Sequence, residues 1–169
     1  MITTERLIIQ PWSEGKASDF FELSRDEGFT LFPITIYRQE SVETAREWIR
    51  AALELNRTTT LGKWAVMEKK SSALIGLCGL TPWDFREEKL VDITYRLRQS
   101  AWGKGFGLEV ARALVDFGFN KQNLDQITAT ITPDNTASKN VAKKLGMIFD
   151  QSFILKEVPT DLYRLYKTN

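Results

Sequence analysis

Residues Tyr95 to Gln122 read YRLRQSAWGKGFGLEVARALVDFGFNKQ, which joins the end of a strand, a glycine-rich turn and an amphipathic helix. Val91, Ile93, Tyr95 and Leu97 alternate with Asp92, Thr94, Arg96 and Arg98, the period-two pattern of a strand with one buried face. The alternation then stops. Gly103, Gly105 and Gly107 recur at every second residue, so the backbone can turn sharply and present its N–H groups to an anion with no Cβ in the way. Lys104 sits among them as a point charge, with Trp102 and Phe106 beside it. From Leu108 the period becomes helical, with Leu108, Ala111, Leu114, Val115, Gly118 and Phe119 on one side. A helix that begins at the glycines aims unpaired backbone donors and the positive end of its dipole at the turn. That arrangement predicts a phosphate or pyrophosphate site.

Two familiar phosphate motifs do not fit. No GK[ST] follows at the spacing of a nucleotide triphosphate loop, and GxGxG is not the GxGxxG of dinucleotide folds. The turn reads Trp-x-x-Gly-x-Gly over Trp102, Gly105 and Gly107. After one further strand come N-x-x-S at Asn135 and Ser138, then KKLGM at Lys143 to Met147. Together these resemble the GNAT N-acetyltransferase superfamily and, within it, the RimJ/RimL type, where an aromatic replaces the usual Gln or Arg at the position of Trp102. The likeness runs from TERLIIQPW at the start to the final hairpin.

This resemblance implies an acetyl-CoA-dependent N-acetyltransferase acting on a protein N-terminus or a small amine. The turn Gly103, Lys104, Gly105, Phe106 and Gly107, with Trp102, would hold the pyrophosphate. The pantetheine arm would add as a strand to the free backbone at Leu97, Arg98 and Gln99. Asn135 would touch the pantetheine and Ser138 would lie near the thioester sulfur. Each residue also has a plainer reading. Trp102 can simply pack, Lys104 can be a solvated lysine, Asn135 an N-cap and Ser138 a first-turn residue. Lys139 and Lys143 read as a solvated helix face.

Composition bounds the alternatives. A chain of 169 residues, 43% of them hydrophobic, can bury a substantial core as one domain over residues 1–169. With 23 basic against 22 acidic residues interspersed, nothing asks for nucleic acid or an anionic membrane. No signal-like start and no run of 18 apolar residues occur, so a cytoplasmic protein is expected. Cys78 is the only cysteine, which fits a reducing compartment. Histidine is absent, which removes Ser-His and Cys-His catalysis and argues against a metal site.

Along the chain, Arg6 to Pro11 reads as a strand with Leu7 and Ile9 inward, and Ala17 to Ser24 as a short helix. SRDEGFTLFPI after it shows no period. Ser41 can cap a helix to about Leu55. Lys63 to Glu68 and Ala73 to Leu80 form a hairpin, and Thr81 to Lys89 is expected to be a polar connection into the central strand. Gln126 to Thr132 is a strand, Asp134 or Asn135 caps a helix that Gly146 ends, and a closing hairpin turns around Val158, Pro159 and Thr160. The order β α α β β β α β α β β predicts an α+β fold: a mostly antiparallel mixed sheet with a central βαβ crossover. The resemblance adds that the central strand and the strand after the helix splay apart, and it leaves a homodimer open.

Acyl transfer from a thioester to an amine needs a neutral nucleophile, support for the oxyanion and a proton for the thiolate. At neutral pH roughly a tenth of α-amines but under a thousandth of lysine side chains are uncharged. Without histidine the base is a carboxylate, a tyrosine or a water they hold. Asp92 is the first candidate, on the polar face of the central strand in DITY, where RimJ/RimL-type sequences carry acid-x-G-Y. Glu88 and Asp84 are the alternatives. Many superfamily members place a tyrosine where this chain has Ala142, so Ser138 is the side chain left in register to meet the sulfur, and an amide at Leu97 or Arg98 can hold the thioester oxygen. An antibiotic, polyamine or amino acid acceptor, or a domain that binds CoA without turnover, are the competing readings. Arg25 to Tyr37 would wall the acceptor site, with Phe29, Phe32 and Ile34 as an apolar rim.

Overall fold

Apolar side chains leave both faces of the central strands, so the sheet must be covered on both sides. In the computed structural model, which describes residues 1–31, 37–59 and 61–168, the chain runs through β1 (Ile2–Thr3), β2 (Leu7–Gln10), α1 (Ala17–Ser24), α2 (Glu27–Thr30), α3 (Val42–Thr59), β3 (Gly62–Glu68), β4 (Leu74–Phe85), β5 (Glu88–Leu97), α4 (Phe106–Asn120), β6 (Gln126–Ile131), α5 (Thr136–Lys144), β7 (Ile148–Leu155) and β8 (Val158–Tyr166). This is the expected order with two additions, β1 and α2, both too short to leave a period in the sequence. Asp26 caps α2 by accepting from the Gly28 amide at 2.9 Å. Ser41 and Thr44 cap α3 reciprocally, each side-chain oxygen accepting the other's amide at 3.1 Å. No helix among the described residues is long and apolar enough to cross a membrane.

The strands form one sheet in the order β1-β2-β3-β4-β5-β6-β8-β7. All neighbours are antiparallel except β5 and β6, which run parallel because α4 returns the chain across the sheet. On the α4 face Leu80, Val110, Leu114 and Ile127 centre one core, and on the α1 and α3 face Phe20, Leu23, Ile49 and Leu77 centre another. Trp12, Phe20 and Trp48 pack tilted or edge-on within the second at centroid distances of 4.5 to 5.5 Å.

Two stretches depart from the sequence reading. Thr81 to Lys89 is no loop: the β4–β5 ladder continues from Thr81↔Asp92 to Phe85↔Glu88 and turns at Arg86 and Glu87. Its polar look comes from alternation, because Trp83 and Phe85 turn inward onto Leu90, Phe153 and Leu162 as a third small core. Pro82 is tolerated because β3 ends at Gly62↔Leu80, leaving that edge of β4 without a partner among the described residues. The closing hairpin turns at Lys156 and Glu157 rather than around Pro159, with φ of 47° and 68°. Such a two-residue turn favours Asn and Gly, and neither residue advertises it here.

The register of β5 against β6 decides where a ligand can go. Their one register pair is Asp92↔Thr128, and beyond it both strands line a common cavity. The splay that the resemblance implied is present.

Candidate active site

The cavity between the diverging strands measures about 520 Å³, within the range that holds small ligands. Its wall carries the glycine turn at one end, Asp92 and Thr130 at the narrow end between the strands, and Asn135 and Ser138 from α5. Of the residues expected to meet the cofactor, Leu97, Trp102, Gly103, Gly105, Phe106, Gly107, Asn135 and Ser138 line it, whereas Arg98, Gln99 and Lys104 do not.

The three glycines divide by physical reason. Gly103 and Gly105 have φ of 72° and 80°, the left-handed region that disfavours side chains, and Gly105 is the N-cap of α4. With glycine as cap, no side chain satisfies the first amides of the helix, which stay available to an anion. Gly107 is helical, and a Cβ there would stand 3.3 Å from Tyr95 Cε2; it is small so that the Tyr95 ring can lie against the first turn. Lys104 is exposed, and its carbonyl accepts from Arg6 Nη1 at 2.8 Å.

That bond exposes a part the sequence reading missed. Arg6 reaches across from the first strands, pairs with Glu109 through Nε at 2.8 Å and Nη2 at 2.7 Å, and lies over the Phe106 ring at 4.6 Å. The Thr4 hydroxyl donates to the same carboxylate at 2.6 Å and the Arg6 amide at 2.8 Å. Although partial burial works against ionisation, these donors keep the Glu109 carboxyl below its ordinary range. The N-terminus is thereby tied to the first turn of α4. The signal was Thr4 and Arg6 in TERL, but nothing local names a partner 103 residues away.

In an antiparallel ladder alternate residues send both backbone groups to the same neighbour. The Arg98 amide donates to the Ile75 carbonyl at 2.8 Å, so Arg96 and Thr94 also face β4, while Ile93, Tyr95 and Leu97 face the opening. Two expectations are corrected accordingly. The Arg98 amide is occupied, and the Gln99 amide donates to Asp26 Oδ1 at 2.7 Å. The Leu97 carbonyl accepts from Trp102 Nε1 at 2.9 Å, and its amide faces the opening. Trp102 is 40% exposed, so it packs by its indole N–H at the cavity rim while keeping a face in solvent.

Asp92 was expected on a polar face. It is instead 9% exposed, enclosed by side chains of the neighbouring strands. Oδ1 accepts from Thr128 Oγ1 and Oδ2 from Thr130 Oγ1, each at 2.9 Å, and Trp83 Nε1 donates to Thr128 Oγ1 at 3.3 Å. Burial pushes the Asp92 carboxyl up to about 7; the hydroxyls of Thr128 and Thr130 and the charge of Lys63 pull the other way and are outweighed. The alternatives fall away on geometry. Glu88 pairs with Arg164 at 2.8 and 3.1 Å, a contact that holds its carboxyl below the usual range, and neither Glu88 nor Asp84 lines the cavity.

On α5, Asn135 is the N-cap: its Oδ1 accepts from the Ser138 amide at 3.0 Å. The Ser138 hydroxyl lies near the Tyr95 phenol, which burial pushes above its ordinary range although the serine pulls the other way. Tyr95 was read only as an inward strand residue. It stands where a neutral phenol can serve Ser138, beside Ala142 on the same wall. Lys139, expected to be solvated, pairs with Asp161 at 2.9 Å, while Lys143 is exposed. Thr132 lines the cavity, and its hydroxyl is buried without a partner among the described residues. Phe29 is buried; Phe32 and Ile34 lie outside the described residues.

A split sheet with a glycine turn and an uncapped helix start at one end of its cavity and a buried titratable acid at the other is the frame of a group-transfer enzyme. A family model described as the acetyltransferase (GNAT) domain matches residues 6–148, and the chain belongs to that family of N-acetyltransferases. An uncharacterized Bacillus subtilis protein, YkkB, is 30% identical over 118 residues, covering 70% of this chain and 69% of that one. The uncharacterized N-acetyltransferase p20 of Bacillus licheniformis is 27% identical over 151 residues, covering 89% and 76%. Among solved structures, RimL, a ribosomal L7/L12 α-N-protein acetyltransferase in complex with coenzyme A, superposes with a TM-score of 0.81 over 96% of this chain and 95% of that one. At 15% identity this likeness is one of fold.

Proposed function

We propose that this protein moves an acetyl group from acetyl-CoA to an amine, most simply the α-amine of a peptide N-terminus. The observation that carries the reading is the single cavity that joins the uncapped start of α4 to the buried Asp92. Acetyl-CoA, when bound, supplies the activated thioester. The turn at Gly103 to Gly107 and the α4 amides hold its pyrophosphate, and the open edge of β5 receives the arm. The Leu97 amide supports the thioester oxygen as charge builds on it. Asp92, ionised above about pH 7, takes the proton that the amine loses as the N–C bond forms. Ser138, beside Tyr95, delivers a proton to the sulfur as the C–S bond breaks and regains one from solvent by way of the Tyr95 phenol. An α-amine suits such a base better than a lysine, because its pKa near 8 lies close to that of Asp92.

The direct test is ligand stabilisation. Acetyl-CoA and CoA at a hundred times their Kd are each expected to add about 2.7 kcal/mol, about 5 to 11 °C in Tm for a chain of this size. NAD and ATP are expected to give much less; an equal shift from either would overturn the assignment of the turn. Ser138→Ala is expected to lower kcat about ten- to a hundredfold while changing the Kd of acetyl-CoA far less, because a bond to the departing sulfur strengthens as charge builds. Unchanged turnover would reduce Ser138 to a helix residue.

A further inference from the structure

One side of the cavity is electrostatically unfinished. Arg96 points off the α1–α3 face of β5, on the same side as Asp92, and lines the cavity with Gly28. Its Nη1 donates to the Phe29 carbonyl at 2.7 Å, and its guanidinium carbon lies 5.3 Å from the centre of the Tyr37 ring. Lys63 Nζ also lies over that ring, at 5.1 Å. Neither cation forms an ion pair with a carboxylate among the described residues, and residues 32–36 and 60, outside them, contain no acid. Burial lowers the pKa of Arg96, the mark of a charge short of compensation, with Tyr37 only partly offsetting it.

The wall that holds this guanidinium is stiff. Asp26 Oδ1 accepts from both the Gly28 and Gln99 amides, and Gln99 Nε2 donates to Glu27 Oε2 at 2.8 Å, which pins α2 to the end of β5. A Cβ on Gly28 would stand 2.4 Å from the Leu97 carbonyl oxygen, so no side chain at this position shields Arg96. A planar fork with one donor engaged among the described residues, on a residue that lines the cavity, is suited to a carboxylate held in two bonds.

We infer that Arg96 selects acceptors that carry a carboxylate some way from the reacting amine, as an acidic peptide N-terminus does. The spacing follows from the strand. Asp92 and Arg96 are four residues apart on one face of β5, about 13 Å between Cα atoms at ~3.3 Å per residue. An amine served by Asp92 therefore meets the guanidinium only through a group two or three residues further along an extended peptide. The carboxylate next to the α-amine of a free amino acid falls short. This inference rests on the acetyl-transfer reading, because Asp92 fixes the amine end.

Two matched pairs test it. One is an amidated hexapeptide with N-terminal Ala and Glu at the third position, against the same peptide with Gln there. The other is free lysine against lysinamide, which places the carboxylate beyond a side-chain amine. The Glu peptide is expected to exceed the Gln peptide about ten- to a hundredfold in kcat/KM. Arg96→Gln is expected to bring that ratio toward one, and Arg96→Lys to retain only part of it. A preference confined to the lysine pair would assign the source to a small amino acid and overturn the peptide. Equal rates within both pairs for the wild type, or an undiminished ratio in Arg96→Gln with its Tm preserved, would overturn the role of Arg96. Calorimetry of the two peptides on CoA-loaded protein reads the same preference without turnover. Tighter binding of the Glu peptide that depends on Arg96, with no acetylation of any acceptor, would support the anchor and sink the acetyl-transfer reading instead.

Discussion

Asp92→Asn is expected to lower kcat/KM by about a hundred- to ten-thousandfold, the usual contribution of a general base. Asparagine keeps the shape, and its amide can still bond to Thr128 and Thr130, because a hydroxyl can accept where it formerly donated. Acetyl-CoA binding is therefore expected to survive. In the wild type the rate should rise with pH through about 7, where the buried carboxyl ionises, and that limb should vanish in the variant. Raising the pH should then recover part of the loss by deprotonating the amine in bulk, more for a lysine-like acceptor than for an α-amine.

Stability gives an independent reading of the same group. A carboxyl whose folded pKa is raised binds its proton more tightly in the native state than in the unfolded chain. From about pH 4 to 7 the native state therefore holds the extra proton, and this contribution to stability falls as pH rises through that window. Asparagine mimics the protonated form, so the difference in Tm between variant and wild type should grow in the variant's favour across that window. The comparison cancels Glu88, Asp150 and Asp161, whose lowered pKa values act with the opposite sign. Full wild-type kcat/KM in Asp92→Asn from pH 6 to 9 would remove Asp92 from the chemistry.

The parts of this site that were legible in the sequence are those whose cause is local. The alternation through Val91 to Leu97, the glycines before α4 and the caps at Ser41 and Asn135 all express backbone rules acting within a few residues. What was hidden comes from distant strands. The hydroxyls that hold Asp92 lie 36 and 38 residues on, so a residue on the polar half of an alternating strand looked solvated when it was sealed in. Tyr95 had a place in the strand pattern, and only the approach of α5 brings its phenol near Ser138. The polar segment at Thr81 to Lys89 hid a ladder because its inward residues, Trp83 and Phe85, pack on a hairpin that closes some 70 residues later.

Gly105→Val is expected to abolish the stabilisation by acetyl-CoA and CoA while leaving a folded protein. At φ of 80° a side chain costs about 1 to 2 kcal/mol, which for a chain of this length lowers the Tm of the ligand-free protein by about 2 to 8 °C. The added Cβ would stand 3.4 Å from Arg6 Nη2, an ordinary contact with the far end of a flexible side chain, so packing adds little. Binding suffers for a separate reason: the branched side chain sits on the N-cap whose neighbouring amides must face the pyrophosphate. The shift of about 5 to 11 °C given by saturating ligand should therefore disappear from a protein that still melts cooperatively. Gly107→Ala offers the contrast, since its Cβ would meet the Tyr95 ring at 3.3 Å and not a ligand-facing amide. That variant is expected to keep the ligand shift and to disturb kcat through Tyr95. If Gly105→Val kept the shift in full, the phosphate site would have to lie away from the start of α4.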